Sequence, residues 1–452
     1  MKRRNLIILV IVVVLLLAVG VFFLLSRKTT PQTSGVPTFP QGSGAQAPGG
    51  GTGGAGGYGS VSNFVPGSGA PLPRLYQLHT TPVAGAGFYE TGSGSSLSVS
   101  ARYMERSLGN IFETPLNTFA ETRISNETHP QVAEALWGNK GNSVIFRYLD
   151  SQTDGLIKSH IINLGTSATP ITISTSTESV QPSFLKTEEV FLPDYIPFAS
   201  TAGDNSNTLF YLKDTGGPIL GFVTDFKNSS AINIFSSPFT EWLPQFPNKN
   251  LVTLNTKPSA DVPGDMFFLN PKTKAVTKIL GDINGLTTLT NTDGKYVLYS
   301  GTQVGVPQLS VYDTTKKTSN QISLQTLPEK CVWSTMQKTV VYCAVPQNIP
   351  TGTYPDQWYQ GVISFSDSLW RIDVATLNVT PIMVPGAYGA PAMDMTNLLL
   401  SSNDAYLLFV DKITSTPWVY RLIDTPQTVS SSNTTTPTIL PSAITPDMQK
   451  IR

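Results

Sequence analysis

Apolar and polar positions along this chain fall into distinct textures. From Leu6 to Leu25 there are 20 consecutive uncharged residues, all apolar except Gly20. At ~1.5 Å rise per residue, a helix of that length spans the ~30 Å hydrocarbon layer of a bilayer. From Arg74 onward the pattern changes to short runs of β-forming residues separated by turn residues, with no amphipathic helical period. Several runs alternate apolar and polar in period two, whereas Tyr406–Val410 is apolar on both faces, as in a strand buried between sheets. Between these regions, residues 31–73 carry no charge, and half of Gln41–Ser60 is glycine. That composition cannot offset its ordering entropy and predicts a flexible tether. After Thr425 a run rich in Ser and Thr predicts a disordered tail.

These textures predict four segments: a signal-anchor over 1–28, a tether over 29–73, a β domain over 74–424 and a tail over 425–452. Lys2, Arg3 and Arg4 precede the apolar stretch, while only Arg27 and Lys28 follow it. The bias predicts a cytoplasmic N-terminus, a lipid partner for residues 6–25 and a C-terminal domain outside the cytoplasm. A cleaved signal peptide would have an apolar stretch of ~7–15 residues and end in a small-residue site.

The β region repeats a phrase: a strand, a turn opened by Asp or Asn, then another short strand. It reads Leu309-Ser-Val-Tyr-Asp313, Met266-Phe-Phe-Leu-Asn270 and Leu369-Trp-Arg-Ile-Asp373 in three copies. Asp and Asn suit the turn because their side chains can close an Asx-turn on the backbone. Following the phrase gives anchors at Glu113, Asn163, Asp225, Asn270, Asp313, Asp373 and Asp424, spaced 43 to 62 residues apart. Four strands per unit at such a period predict an all-β fold, a β-propeller of seven blades; six or eight fit the same pattern. Pro346–Ser366 lengthens the sixth unit, and a segment near Glu178–Leu192 lengthens the passage from the second unit to the third. The seventh unit ends after three strands, while Arg74–Leu78 stands alone before the first. An N-terminal strand completing the last blade would remove two exposed edges and close the ring.

Asn291-Thr-Asp-Gly-Lys-Tyr-Val-Leu-Tyr-Ser300, followed by Gln308–Asp313, resembles a repeat of the TolB-type, WD40-like propellers. In that family a turn carrying Asp-Gly joins the two inner strands. The resemblance implies the fold and an extracytoplasmic setting, and transfers no binding residue.

Charge and chemistry narrow the function. Five of the 30 basic residues flank the anchor, leaving 25 against 30 acidic, a formal charge of −5. This is no footprint for nucleic acid. The three histidines, His79, His129 and His160, show no metal-ligand spacing. No phosphate-loop or nucleophile-elbow motif is present, so no catalytic residue, metal or cofactor is assigned. Glu188-Glu189 and Asp204/Asp214 are acidic and near connections, and read as solvated surface. Cys331 and Cys343 are equidistant from a turn near Gln337, so an antiparallel hairpin would place them opposite each other as a disulfide. Tyr354, Trp358 and Tyr359 fall in the sixth-unit insertion, where they would serve as exposed partner-binding anchors or, with Trp358 packed down, would hold their own long loop in place. The function this implies is a membrane-anchored binding or scaffold propeller for a protein or cell-surface polymer. A propeller-based surface hydrolase or lyase, or a structural part of an envelope assembly, are the alternatives.

Overall fold

In the computed structural model, which describes residues 64–65, 71–150, 156–169 and 184–423, the β-type runs pair into seven four-stranded antiparallel sheets. The first strand, β1 (Leu75–Gln77), belongs to the last of them. Blade 1 is β2 to β5 (Val83–Thr91, Ser98–Glu105, Ile111–Pro115, Thr122–Arg123). Blade 2 is β6 to β9 (Val132–Gly138, Ser143–Asp150, Leu156–Thr169, Phe184–Phe191). Blade 3 is β10 to β13 (Phe198–Thr201, Leu209–Lys213, Ile219–Thr224, Ile232–Ser237). Blade 4 is β14 to β17 (Trp242–Asn248, Leu251–Thr256, Pro263–Leu269, Val276–Asn284). Blade 5 is β18 to β21 (Thr287–Thr290, Tyr296–Gln303, Val306–Asp313, Thr318–Gln321). Blade 6 is β22 to β25 (Cys331–Trp333, Val340–Pro346, Asp367–Asp373, Asn378–Met383). Blade 7 is β26 to β28 (Met395–Leu400, Tyr406–Asp411, Pro417–Arg421), completed by β1.

The hydrophobic core is distributed over the seams between blades. Blades 5 and 6 share Leu298, Leu309, Val341 and Ile372, and blades 3 and 4 share Phe210, Phe235, Val252 and Leu254. Leu408 and Val419 of blade 7 pack on Ala101 and Tyr103 of blade 1, so the ring closes. Fully burying one such side chain stabilises by ~1.5–3 kcal/mol relative to exposure. The two-faced apolar strand Tyr406–Asp411 is therefore sandwiched between neighbouring sheets, as its pattern predicts.

The expected clasp is present. β1 pairs antiparallel with β28, Leu75 opposite Tyr420 and Gln77 opposite Trp418. Arg74 extends it by donating Nε to the Arg421 carbonyl at 3.0 Å. Contact reaches back before Arg74: Phe64 packs edge-on against Tyr76 and Phe119.

The anchor positions sort by chemistry. Asp225, Asn270, Asp313 and Asp373 each accept a backbone N–H two residues on, closing the expected Asx-turns. Glu113 and Asn163 lie inside strands instead, Glu113 accepting from Arg102 and Asn163 from Ser143. Asp424 lies outside the described residues, as do the expected anchor helix and all but the last residues of the tether. Among the described residues no helix is long and apolar enough to cross a membrane.

One insertion differs from expectation. Phe184–Phe191 hydrogen-bonds to β8 as the outermost strand of blade 2, so this part of the lengthened segment belongs to blade 2 itself and not to the passage between blades. In an up-and-down sheet the third and fourth strands connect on the face opposite the second-to-third strand loops. The two lengthened segments therefore belong to opposite faces of the ring. The sixth-unit insertion joins β23 to β24 and carries one short helix, α1 (Asp356–Tyr359).

Candidate functional site

The blade 5–6 seam opens outward into a groove of about 950 Å³ beside the insertion. Its origin is local. The outer strand β21 is only four residues long and fully exposed. Beyond it the chain keeps a period of two: Ile322 and Leu324 enter the seam while Gln321, Ser323 and Gln325 face out. Gln347 and Asn348, where the insertion leaves β23, form the facing wall with the half-buried ring of Trp370 from β24. Gln308 is held in place by donating Nε2 to the Ile322 carbonyl at 3.1 Å. No lining residue is charged. Each amide offers both donor and acceptor.

The aromatic loop turns most of its rings inward, the packing alternative of its two readings. Tyr354 is fully buried and Trp358 is 5% exposed, because the insertion builds its own small core with Leu327 and Phe365. Tyr354 donates its hydroxyl to the Pro350 carbonyl at 2.7 Å. Only Tyr359 keeps an exposed ring, at 38%, and its hydroxyl donates to Glu329. Burial pushes the Glu329 carboxyl up, with the Tyr359 hydrogen bond opposing. A loop of this length needs apolar weight to stay ordered, and its aromatic residues supply that weight.

Beneath the loop sits a buried ionic cluster. Lys330, Asp367 and Asp394 are each 0% exposed. The Lys330 ammonium lies 2.8 Å from Asp367 Oδ2, touches Asp394 Oδ1 and donates to the Met395 carbonyl at 3.1 Å. Trp358 Nε1 donates to Asp394 Oδ2 at 3.0 Å and more weakly to Oδ1 at 3.3 Å; the Phe365 N–H also reaches Oδ2 at 3.0 Å. Lys412 lies over the Trp358 ring at 4.3 Å, and burial lowers the pKa of its ammonium. Removing one partner from such a cluster leaves an uncompensated buried charge, at a cost of ~3–5 kcal/mol.

Other sequence candidates resolve into structure. Cys331 and Cys343 face each other across β22 and β23 and are disulfide-bonded. His79 pairs with Glu121 at 2.5 Å and His160 with Glu189 at 2.6 Å. Asp204 and Asp214 each accept a backbone N–H two residues on, as turn residues. Among the described residues no group of three His, Cys, Asp or Glu side chains could hold a metal ion.

No family model matches the chain, and no curated protein sequence matches it. Among similar solved structures is an oligogalacturonate lyase from Vibrio parahaemolyticus. It has a TM-score of 0.46 at 10% identity, over 76% of this chain and 99% of the lyase. TolB from Acinetobacter baumannii matches with a TM-score of 0.39 at 10% identity, over 77% of this chain and 80% of TolB. The β-propeller domain of the Trilobed protease from Pyrococcus furiosus matches with a TM-score of 0.43 at 13% identity, over 75% and 98%. These likenesses concern the propeller fold; the blade count rests on the strand pairing itself.

Proposed function

We propose that this protein is a membrane-anchored, extracytoplasmic binding propeller whose blade 5–6 groove holds an uncharged, hydroxyl-rich surface polymer. The observation that carries this reading is the groove lining: amides, hydroxyls and the Trp370 ring set among aliphatic side chains, with no charged side chain. Amides match the paired donor and acceptor character of sugar hydroxyls, and an indole face covers the C–H side of a pyranose. The lining offers no carboxylate, so the two-carboxylate chemistry of a glycosidase has no residues there to perform it.

The apolar length of Leu6–Leu25 and its basic flanks support anchorage with the propeller outside. The Cys331–Cys343 disulfide agrees with that setting, since such bonds persist in oxidising compartments. One experiment tests both parts. Cells displaying the full chain should capture beads coated with a neutral oligosaccharide, and Trp370→Ala should weaken capture about thirtyfold, the effect of losing ~2 kcal/mol. Protease added outside intact cells should abolish capture. Equal capture by the Trp370→Ala variant would sink the groove, and protease resistance of the intact-cell protein would sink the topology.

A further inference from the structure

We propose that Lys330 and Asp394 condense into a side-chain amide, a covalent clamp joining blades 6 and 7 beneath the insertion. The two residues come from just before β22 and just before β26, 64 positions apart, and meet where neither is exposed to water. The lysine amine contacts Asp394 Oδ1 on one side. On the other side of the same carboxyl group, Oδ2 accepts from Trp358 Nε1 and from the Phe365 N–H, both at 3.0 Å. Two donors on the oxygen that does not meet the amine would stabilise the oxyanion that forms when nitrogen attacks Cγ.

Asp367 provides the proton path. Its Oδ2 lies 2.8 Å from the amine and is fixed by the Met395 N–H at 2.7 Å, while its Oδ1 is buried with no hydrogen-bond partner. Burial pushes the Asp367 carboxyl up to about 6, partly opposed by Lys330. It can therefore take a proton from the ammonium and return it to the leaving oxygen.

The step balances within the site. The Nζ–Cγ bond forms and the Cγ–Oδ1 bond breaks. Two of the three ammonium protons leave with that oxygen as water, and the third remains on the amide nitrogen. Asp367 ends the step as it began. The Trp358 and Phe365 rings lie 5.3 Å from the amine and wall it from solvent. The driving force is the burial itself. Two ions held in a low-dielectric site carry a desolvation penalty of several kcal/mol each; condensation removes both charges, and Asp367, whose burial already favours its neutral form, then takes up a proton in place of its lost counter-ion. An intramolecular pair already in contact also gains the large effective concentration of a preorganised reaction.

The test is mass spectrometry on the full chain, purified in detergent, then reduced and denatured. The wild-type protein should be lighter than its sequence by one water. Its digest should contain a branched peptide joining the Lys330 and Asp394 segments. Lys330→Arg keeps the charge but cannot form this amide, and should show the full mass. Asp367→Asn should also retain the full mass, with Lys330 and Asp394 unlinked. A wild-type protein at full mass, or one lacking water without the branched peptide, overturns the clamp. Linkage persisting in the Asp367→Asn protein would overturn the proton path assigned to Asp367. Groove binding does not enter the measurement.

Discussion

Two seams of the ring solve the same packing problem in opposite ways. Between blades 1 and 2 the backbones touch. A Cβ placed on Gly85 would lie 1.9 Å from the Ala135 carbonyl oxygen, and one on Gly87 would lie 2.4 Å from the Trp137 Cβ. Trp137 fills the space these glycines leave and donates Nε1 to the Gly85 carbonyl at 3.3 Å. Between blades 5 and 6 the inner strands are closed by the Trp333 ring and the disulfide, but the outer edge parts into the groove. Glycine appears where backbone must meet side chain, and glutamine appears where the sheets separate. The first seam is built for closure at its glycines; the second spends part of its contact area on an accessible wall.

The tightness of the first seam gives the largest expected effect. Gly85→Val would drive methyl groups into the Ala135 backbone, which cannot rotate away as a side chain could. Overpacking ordinarily costs ~1–3 kcal/mol, and a backbone obstacle places this variant at or above the top of that range. Thermal unfolding should show the melting temperature of the full chain falling by several degrees or more. An unchanged midpoint would mean that the seam can part, and the contrast between the two seams would dissolve.

Much of this architecture was legible in the chain. Period-two alternation and the Asx-turns located the strands of blades 3 to 6, and the lone strand before blade 1 identified the clasp. The cysteine spacing about Gln337 placed the hairpin register. What escaped depends on three-dimensional neighbours. Lys330 reads as an ordinary surface residue beside Glu329, yet it is buried because residues 367 and 394 arrive from other strands. Trp358 reads equally as an exposed anchor or as packing for its own long loop, and only the three-dimensional neighbours Leu327 and Phe365 decide for packing. The groove did leave a trace, since Gln321-Ile-Ser-Leu-Gln325 continues the strand alternation past the end of β21.

A third seam, between blade 7 and blade 1, sharpens the contrast because polar contacts help to hold it. Glu121 accepts from the Tyr103 hydroxyl at 2.6 Å and lies 2.5 Å from His79, just beyond the clasp. Burial pushes the Glu121 carboxyl up, but the hydrogen bonds from His79 and Tyr103 outweigh it and hold it below the ordinary glutamate value. A carboxylate lowered in the folded state adds stability above its unfolded pKa and loses it as pH falls through the folded one. Glu121→Gln should therefore cost roughly 1 kcal/mol at neutral pH, with the gap closing as pH falls below the ordinary glutamate range. Denaturant midpoints measured at both ends of that range decide the matter. A gap independent of pH would show that the carboxylate charge contributes nothing to this seam.

The smallest stability effect belongs to the groove, and its smallness is the point. Gln325 faces out between the buried Leu324 and Thr326, and no backbone obstacle stands over it. Valine there suits an extended chain at least as well as glutamine, so Gln325→Val should change stability by no more than ~0.5 kcal/mol. The same valine that disrupts the blade 1–2 seam would thus be nearly silent at the blade 5–6 seam. Binding should respond where stability does not. Losing one amide that can donate and accept removes ~0.5–1.5 kcal/mol from a hydrogen-bonded ligand, a two- to tenfold weakening of capture on neutral-oligosaccharide beads. A melting temperature lowered by several degrees would instead make Gln325 a packing residue and the groove a defect in closure. Undiminished stability with undiminished capture would place the ligand elsewhere on the propeller. Only the combination of preserved folding and weakened capture keeps the open seam as the binding wall.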